Sequence, residues 1–185
     1  MTTTRTAVRR HNRLAIRLMQ GSVLLVGLAL ALLARQAMAA TPVTTTFPVT
    51  ATITSACTVS GSALNFGSAI DPLSSTTPLD ATSTVTVTCS NTTPYTVSLN
   101  AGANAGGSSN FSTRTMKSGS DTLAYQLYLD AGRATVWGDG TASSSARNGT
   151  GSGSAQSLTV YGRLPSLANV VPGAYTDTVT VTISY

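Results

Sequence analysis

Beyond its first forty residues, this 185-residue sequence predicts an all-β fold, an antiparallel sandwich or barrel. Apolar residues recur at every second position in several separate segments. No segment there repeats the i, i+3, i+4 spacing of an amphipathic helix. The alternating segments are short, β-branched and separated by Gly, Pro, Asn and Ser, as strands joined by turns are.

The first forty residues are different. Arg5, Arg9, Arg10, Arg13 and Arg17 precede a nearly continuous apolar run from Leu18 to Leu33, and Ala37-Met38-Ala39 supplies small residues where a signal peptidase reads. This is an export signal over residues 1–39, cleaved after Ala39. Arg9-Arg10 alone does not complete a twin-arginine pattern, which leaves general secretion of an unfolded chain. The alternative is a retained membrane anchor, for which the apolar run is short.

Between the signal and the first cysteine, Val43, Thr45, Phe47, Val49, Ala51 and Ile53 alternate with Thr44, Thr46, Pro48, Thr50 and Thr52. The period is that of a strand. Pro48 has no amide hydrogen, so an edge or intermolecular strand suits it better than the middle of a sheet. Two readings follow: a first edge strand on its own domain, or a strand handed to another copy of the protein.

Further along, Ala63–Gly67 is short and apolar, and Asp71-Pro72 and Thr77-Pro78 punctuate a loop. Val85, Val87 and Cys89 share one face. After a turn at Asn91–Pro94, Tyr95, Val97 and Leu99 share another, so a hairpin is expected, with Cys89 pointing inward toward Cys57. Gly102–Ser109 is a loop too poor in apolar residues to bury much surface. Leu123, Tyr125, Leu127 and Leu129 mark one strong strand ending at Asp130-Ala131-Gly132, and Asp139-Gly140 is a turn. Ser143–Ser154 is a second long loop, and Leu158, Val160 and Gly162 mark a further strand. Val179, Val181, Ile183 and Tyr185 alternate with Thr178, Thr180, Thr182 and Ser184 in the clearest strand of all.

Six of the eleven Lys and Arg leave with the signal while all six acidic residues stay, so the mature chain carries a net charge of about −1. The basic pI belongs to the precursor. The remaining cations, Arg114, Lys117, Arg133, Arg147 and Arg163, are scattered, which argues against a nucleic-acid partner. Cys57 and Cys89 form an even pair in an exported chain and read as a disulfide.

The only histidine, His11, lies in the signal and there is no glutamate, so Ser-His-Asp and Cys-His catalysis and histidine zinc sites are excluded. Asp71, Asp80, Asp121, Asp130, Asp139 and Asp177 stand singly and read as turn or solvated residues. The expectation is therefore no catalytic site, no metal site and no cofactor. Trp137, Tyr128 and Tyr161 could stack on sugars, but fit core or half-buried strand positions better.

Several segments then coincide in order: Ile53-Thr54-Ser55-Ala56-Cys57-Thr58-Val59, Leu64-Asn65-Phe66-Gly67, Val85-Thr86-Val87-Thr88-Cys89, Leu123-Ala124-Tyr125-Gln126-Leu127-Tyr128, Tyr161-Gly162-Arg163-Leu164-Pro165 and Gly173-Ala174-Tyr175-Thr176-Asp177-Thr178-Val179. Together they resemble the spore coat protein U domain family, which includes pilus subunits of the archaic, Csu-type chaperone-usher systems. The resemblance implies an incomplete immunoglobulin-like antiparallel β-sandwich that lacks its last strand and is completed by a donor strand from a neighbouring subunit. It divides the chain into signal (1–39), N-terminal extension (40–53) and pilin domain (54–185). Val43, Phe47, Val49, Ala51 and Ile53 would be donated; Val179, Val181, Ile183 and Tyr185 would form the acceptor edge.

The partners implied are sibling subunits in a homopolymer, a periplasmic chaperone, an outer-membrane usher and a tip adhesin. The function implied is that of a non-enzymatic surface pilus serving adhesion and biofilm formation. Since a tip adhesin is expected to carry a second, receptor-binding domain, one domain plus an extension favours a shaft subunit. The alternatives are a spore coat or matrix protein of the same family and a secreted carbohydrate-binding module.

Overall fold

The computed structural model describes residues 40–185, so the expected export signal lies outside the described residues. The chain divides after Ala51 into two units. In the first, residues 40–51 carry no regular secondary structure and are exposed. The second, Thr52–Tyr185, is the folded body.

That body contains nine strands and, among the described residues, one short 3-10 turn at Phe111–Thr113. The strands are β1 (Cys57–Gly61), β2 (Leu79–Cys89), β3 (Pro94–Leu99), β4 (Thr115–Ser118), β5 (Asp121–Ala124), β6 (Gln126–Tyr128), β7 (Arg147–Thr150), β8 (Ala155–Leu164) and β9 (Val181–Ser184). One sheet has the order β1-β2-β8-β6, the facing sheet the order β7-β3-β9, and β4 and β5 form a small third pair. Every ladder between these strands is antiparallel. The fold is an immunoglobulin-like sandwich, not a closed barrel.

The period of two decides what is buried. Val85, Val87 and Cys89 of β2, Tyr95, Val97 and Leu99 of β3, Leu127 of β6, and Val160 and Leu164 of β8 turn inward and pack around Trp137. The threonines between them line the outer faces. Trp137 is fully buried and its indole N–H donates to the Val97 carbonyl at 3.1 Å, so it is a core residue and offers no platform for a sugar. Gly162 of β8 serves the same packing. A Cβ there would lie 2.7 Å from Leu64, so the bare backbone lets Leu64 and Phe66 lie across the strand.

Four expectations need correction. The β2–β3 hairpin does not form. The two edges of β2 are taken by β1 and β8, so Ser90–Thr93 carries the chain across to the opposite sheet, where β3 pairs with β7 and β9. Alternation reports which face is buried and not which strand is the neighbour.

The single strand Leu123–Leu129 is two. It changes partner at Tyr125, with β5 bonded to β4 and β6 to β8, although Leu123, Tyr125 and Leu127 all remain buried. The loop Ser143–Ser154 contains β7, whose Gly149 lies opposite Tyr95 and leaves room for that ring. The Gly102–Ser109 loop also buries more than its composition suggests, since Ala101, Ala105 and Phe111 form a small cluster of their own.

Cys57 and Cys89 are directly opposite in the β1–β2 register and form a disulfide across a sequence separation of 32. The bridge ties an edge strand to the core. Loop-closure entropy assigns it about 3.7 kcal/mol. Replacing both cysteines by serine should therefore lower the unfolding free energy in denaturant by about that amount, and a loss below about 1 kcal/mol would show that the edge strand is held by other means.

Candidate functional site: a cleft between two unpaired sheet edges

Strands β1 and β9 each end a sheet, so each has one edge without a partner among the described residues. The chain leading into β9 is already extended. Thr176 exchanges backbone bonds with Lys117 at 3.0 Å in both directions; the Thr178 carbonyl accepts from Ala103 N–H at 3.0 Å and the Thr180 carbonyl from Asn100 N–H at 3.0 Å. The even-numbered residues thus bond toward the neighbouring β3 and β4 side. Backbone groups alternate in direction along a strand, so Asp177, Val179, Val181 and Ile183 point theirs at the open edge. Their side chains alternate too, and all four are half-buried.

The two open edges meet at one end, where a Cβ on Gly61 would lie 3.8 Å from the Val181 side chain. From there they diverge. The gap is a cleft of about 550 Å³ whose walls include Leu64, Phe66, Val85, Leu99, Leu127 and Val179. It continues past Phe66, Met116 and Tyr175 into a second apolar cavity of about 630 Å³ bounded by Ile70, Leu123, Leu164 and Leu167. A row of core side chains is therefore reachable from outside along the seam between the sheets.

One polar cluster interrupts this apolar wall. The Asp177 carboxylate accepts from the Tyr125 hydroxyl at 2.6 Å, from Asn104 N–H at 3.2 Å and from Asn104 Nδ2 at 3.0 Å. Gly102, with φ +99°, leaves the space that Asp177 occupies. Behind the cluster, Arg114 is 1% exposed. It donates to Gln126 Oε1, to the Asn100 carbonyl and to the Trp137 carbonyl, each at 2.8 Å, and lies over the Phe111 ring.

Burial lowers the Arg114 pKa to about 10, which keeps it charged at neutral pH, and Tyr125 and Asp177 act in the opposite direction. Burial, followed by the hydrogen bond to Asp177, pushes the Tyr125 hydroxyl well above its usual value of 10.0. Among the described residues no cluster of three His, Cys, Asp or Glu could hold a metal ion.

Of the residues singled out in the sequence, Val179 and Val181 line the cleft, whereas Ile183 and Tyr185 do not. Ile183 packs on the core beside β3, and Tyr185 is exposed. Val43, Phe47, Val49 and Ile53 are 98%, 79%, 85% and 89% exposed, and Ala51 is exposed as well. The Asp177–Tyr125–Arg114 cluster was missed. Its signal was present, because Asp177 occupies an inward position in the alternation Tyr175, Asp177, Val179, Val181, Ile183.

A model of the Spore Coat Protein U domain matches residues 43–182. The chain belongs to the Spore Coat Protein U domain family. The match opens at Val43, so the alternating leader lies within the family pattern as well as the sandwich. Among solved structures, a chain in the crystal structure of the CsuC–CsuE chaperone–tip adhesion subunit pre-assembly complex, from the archaic chaperone-usher Csu pili of Acinetobacter baumannii, is similar at a TM-score of 0.52 and 24% identity. The similarity covers 72% of the present chain and 40% of that one, so the Spore Coat Protein U chain spans well under half the length of its structural neighbour. No curated protein matches.

Tyr125 offers a direct reading of the cluster. Its pKa is higher folded than unfolded, so the stability it supplies is complete below about pH 10 and is lost as pH rises beyond that value. Spectrophotometric titration should show one tyrosine ionising only at a pH well above the usual value of 10.0, together with loss of structure, and Tyr125→Phe should remove that late step. A titration without that late step would contradict the geometry.

Proposed function

We propose that the chain is a structural pilus subunit that polymerises by donating its leader strand to the open cleft of the next subunit. One pairing of features carries the reading: the molecule has an apolar cleft flanked by two unpaired sheet edges, and an exposed leader with apolar residues at every second position. Strand addition joins such parts, with main-chain hydrogen bonds supplying affinity and alternate side chains supplying register. An uncovered edge of this kind is an aggregation hazard. Head-to-tail filling of the cleft covers it, and a contact that does not close into a ring grows a filament.

In this reading residues 1–39 direct export, residues 40–53 carry the donor strand with Val43, Phe47, Val49, Ala51 and Ile53 turned inward, and residues 54–185 form the acceptor domain with Val179 and Val181 on the cleft edge. Each apolar side chain fully buried adds about 2 kcal/mol. A periplasmic chaperone would hold the cleft before assembly, an outer-membrane usher would catalyse exchange, and a tip adhesin would end the fibre. The family match and the likeness to a chain from a chaperone–subunit complex support those partners. The role is non-enzymatic: a cell-surface fibre for adhesion and biofilm formation. A coat or matrix protein of the same family is the second reading, favoured by the family description, and it predicts no fibre and no dependence on an usher.

Deleting residues 43–53 should leave a folded subunit that binds chaperone and fails to extend fibres, as seen by electron microscopy and by the loss of detergent-resistant ladders on gels. Normal polymerisation of the deletion variant would overturn strand donation. Assembly of the intact chain into an amorphous layer without fibres would favour the coat reading.

A further inference from the structure

The leader has one polar residue on its apolar face, and the cleft has one polar cluster on its apolar wall. Along the inward series Val43, Thr45, Phe47, Val49, Ala51, Ile53, the exception is Thr45. Along Tyr175, Asp177, Val179, Val181, Ile183, the exception is Asp177, whose carboxylate lies on the cleft wall beside the Tyr125 hydroxyl. The geometry points to Thr45 of a second copy seated against Asp177, antiparallel to the extended segment 175–180 that leads into β9, as the contact that sets the register of the donated strand. This inference rests on the strand-donation reading and adds to it the residue pair that selects one alignment.

Two independent observations agree with that alignment. The first is volume. The cleft is pinched at Gly61 and Val181 and widens toward Tyr175 into the cavity bounded by Ile70, Leu164 and Leu167. With Thr45 opposite Asp177 and the strands antiparallel, Phe47 falls opposite Tyr175 and Val49 and Ala51 follow into the wide end, leaving only Val43 near the narrow one. A parallel strand would send Phe47 and Val49 into the pinch and leave the larger cavity to Val43 and Thr41.

The second is Pro48. Side chains that share the inward face place odd-numbered donor residues opposite odd-numbered residues of the acceptor, and these exchange the backbone bonds across the open edge of the segment leading into β9. Pro48, an even residue, then turns its missing N–H away from that edge, where it costs the ladder nothing.

A slip by two residues keeps every apolar side chain inward, so apolar burial alone discriminates poorly between alignments. It would set Phe47 or Val43 against the carboxylate and leave the Thr45 hydroxyl among apolar groups. A hydrogen bond to a charged acceptor is the kind of contact whose loss shifts such a balance by about tenfold or more.

Intersubunit disulfides read the alignment from the outer faces, without touching the pin. In fibres of the full chain, Thr44→Cys with Thr178→Cys should cross-link, and Thr44→Cys with Thr180→Cys should do so about tenfold less. Adding Thr45→Val, a change in the leader outside the folded body, should redistribute the links between the two positions while fibres still form. A preference for Thr180→Cys with Thr45 in place, or an undiminished preference for Thr178→Cys with Thr45→Val, overturns the pin and leaves strand donation standing. Fibres with no link from position 44 to any site between 174 and 184 would sink strand donation itself, and the pin with it.

Discussion

Everything distinctive about this molecule follows from one unmet constraint: the outer edge of β9 has backbone donors and acceptors with no neighbour, directly beside an uncovered strip of core. Thr176, Thr178 and Thr180 have satisfied one side of the strand. Asp177, Val179 and Val181 face the other, and nothing among the described residues answers them. An unpaired edge costs little while water reaches it, but the same water then lies against the apolar strip of core beside it. The sandwich is therefore well packed around Trp137 and unfinished along one seam.

The rest of the structure keeps that seam open without letting the sheets part. The Cys57–Cys89 bridge fixes β1, which has hydrogen bonds on one side only, to β2. Arg114 ties the carbonyls of Asn100 and Trp137 and the side chain of Gln126 together from inside. The Asp80 carboxylate, bonded to Arg163 at 2.8 and 3.0 Å, clamps β2 to β8 on the outer face. The exposed Asp80 pair is worth little by itself. The inner arginine matters more, because it spans the junction where the chain passes from β5 to β6.

Much of this was legible in the sequence. Alternation located the inward faces of β2, β3, β8 and β9, because burial on one side of a pleated strand imposes a period of two whatever its neighbours are. The pairing of Cys57 with Cys89 and the resemblance to the family also came from the sequence. What alternation does not contain is adjacency, so the expected β2–β3 hairpin became a crossover between sheets, and one expected strand at Leu123–Leu129 serves two. β7 was hidden because Arg147-Asn148-Gly149-Thr150 buries almost nothing, and its place was set by the tyrosine it covers. Asp177 reads from sequence as a turn or solvated residue and Arg114 as one of several scattered cations for the same reason: their partners, Trp137, Asn100, Tyr125 and Asn104, are brought together only by the fold.

Hydrogen exchange at single amides tests the central claim most directly. Compared between the lone chain and the polymer proposed above, the N–H groups of Asp177, Val179 and Val181 should exchange quickly in the former and become strongly protected in the latter, while Thr176 and Thr180 on the bonded side change far less. If those three amides are already as protected in the lone subunit as Thr176 and Thr180, the sandwich completes itself and needs no neighbour.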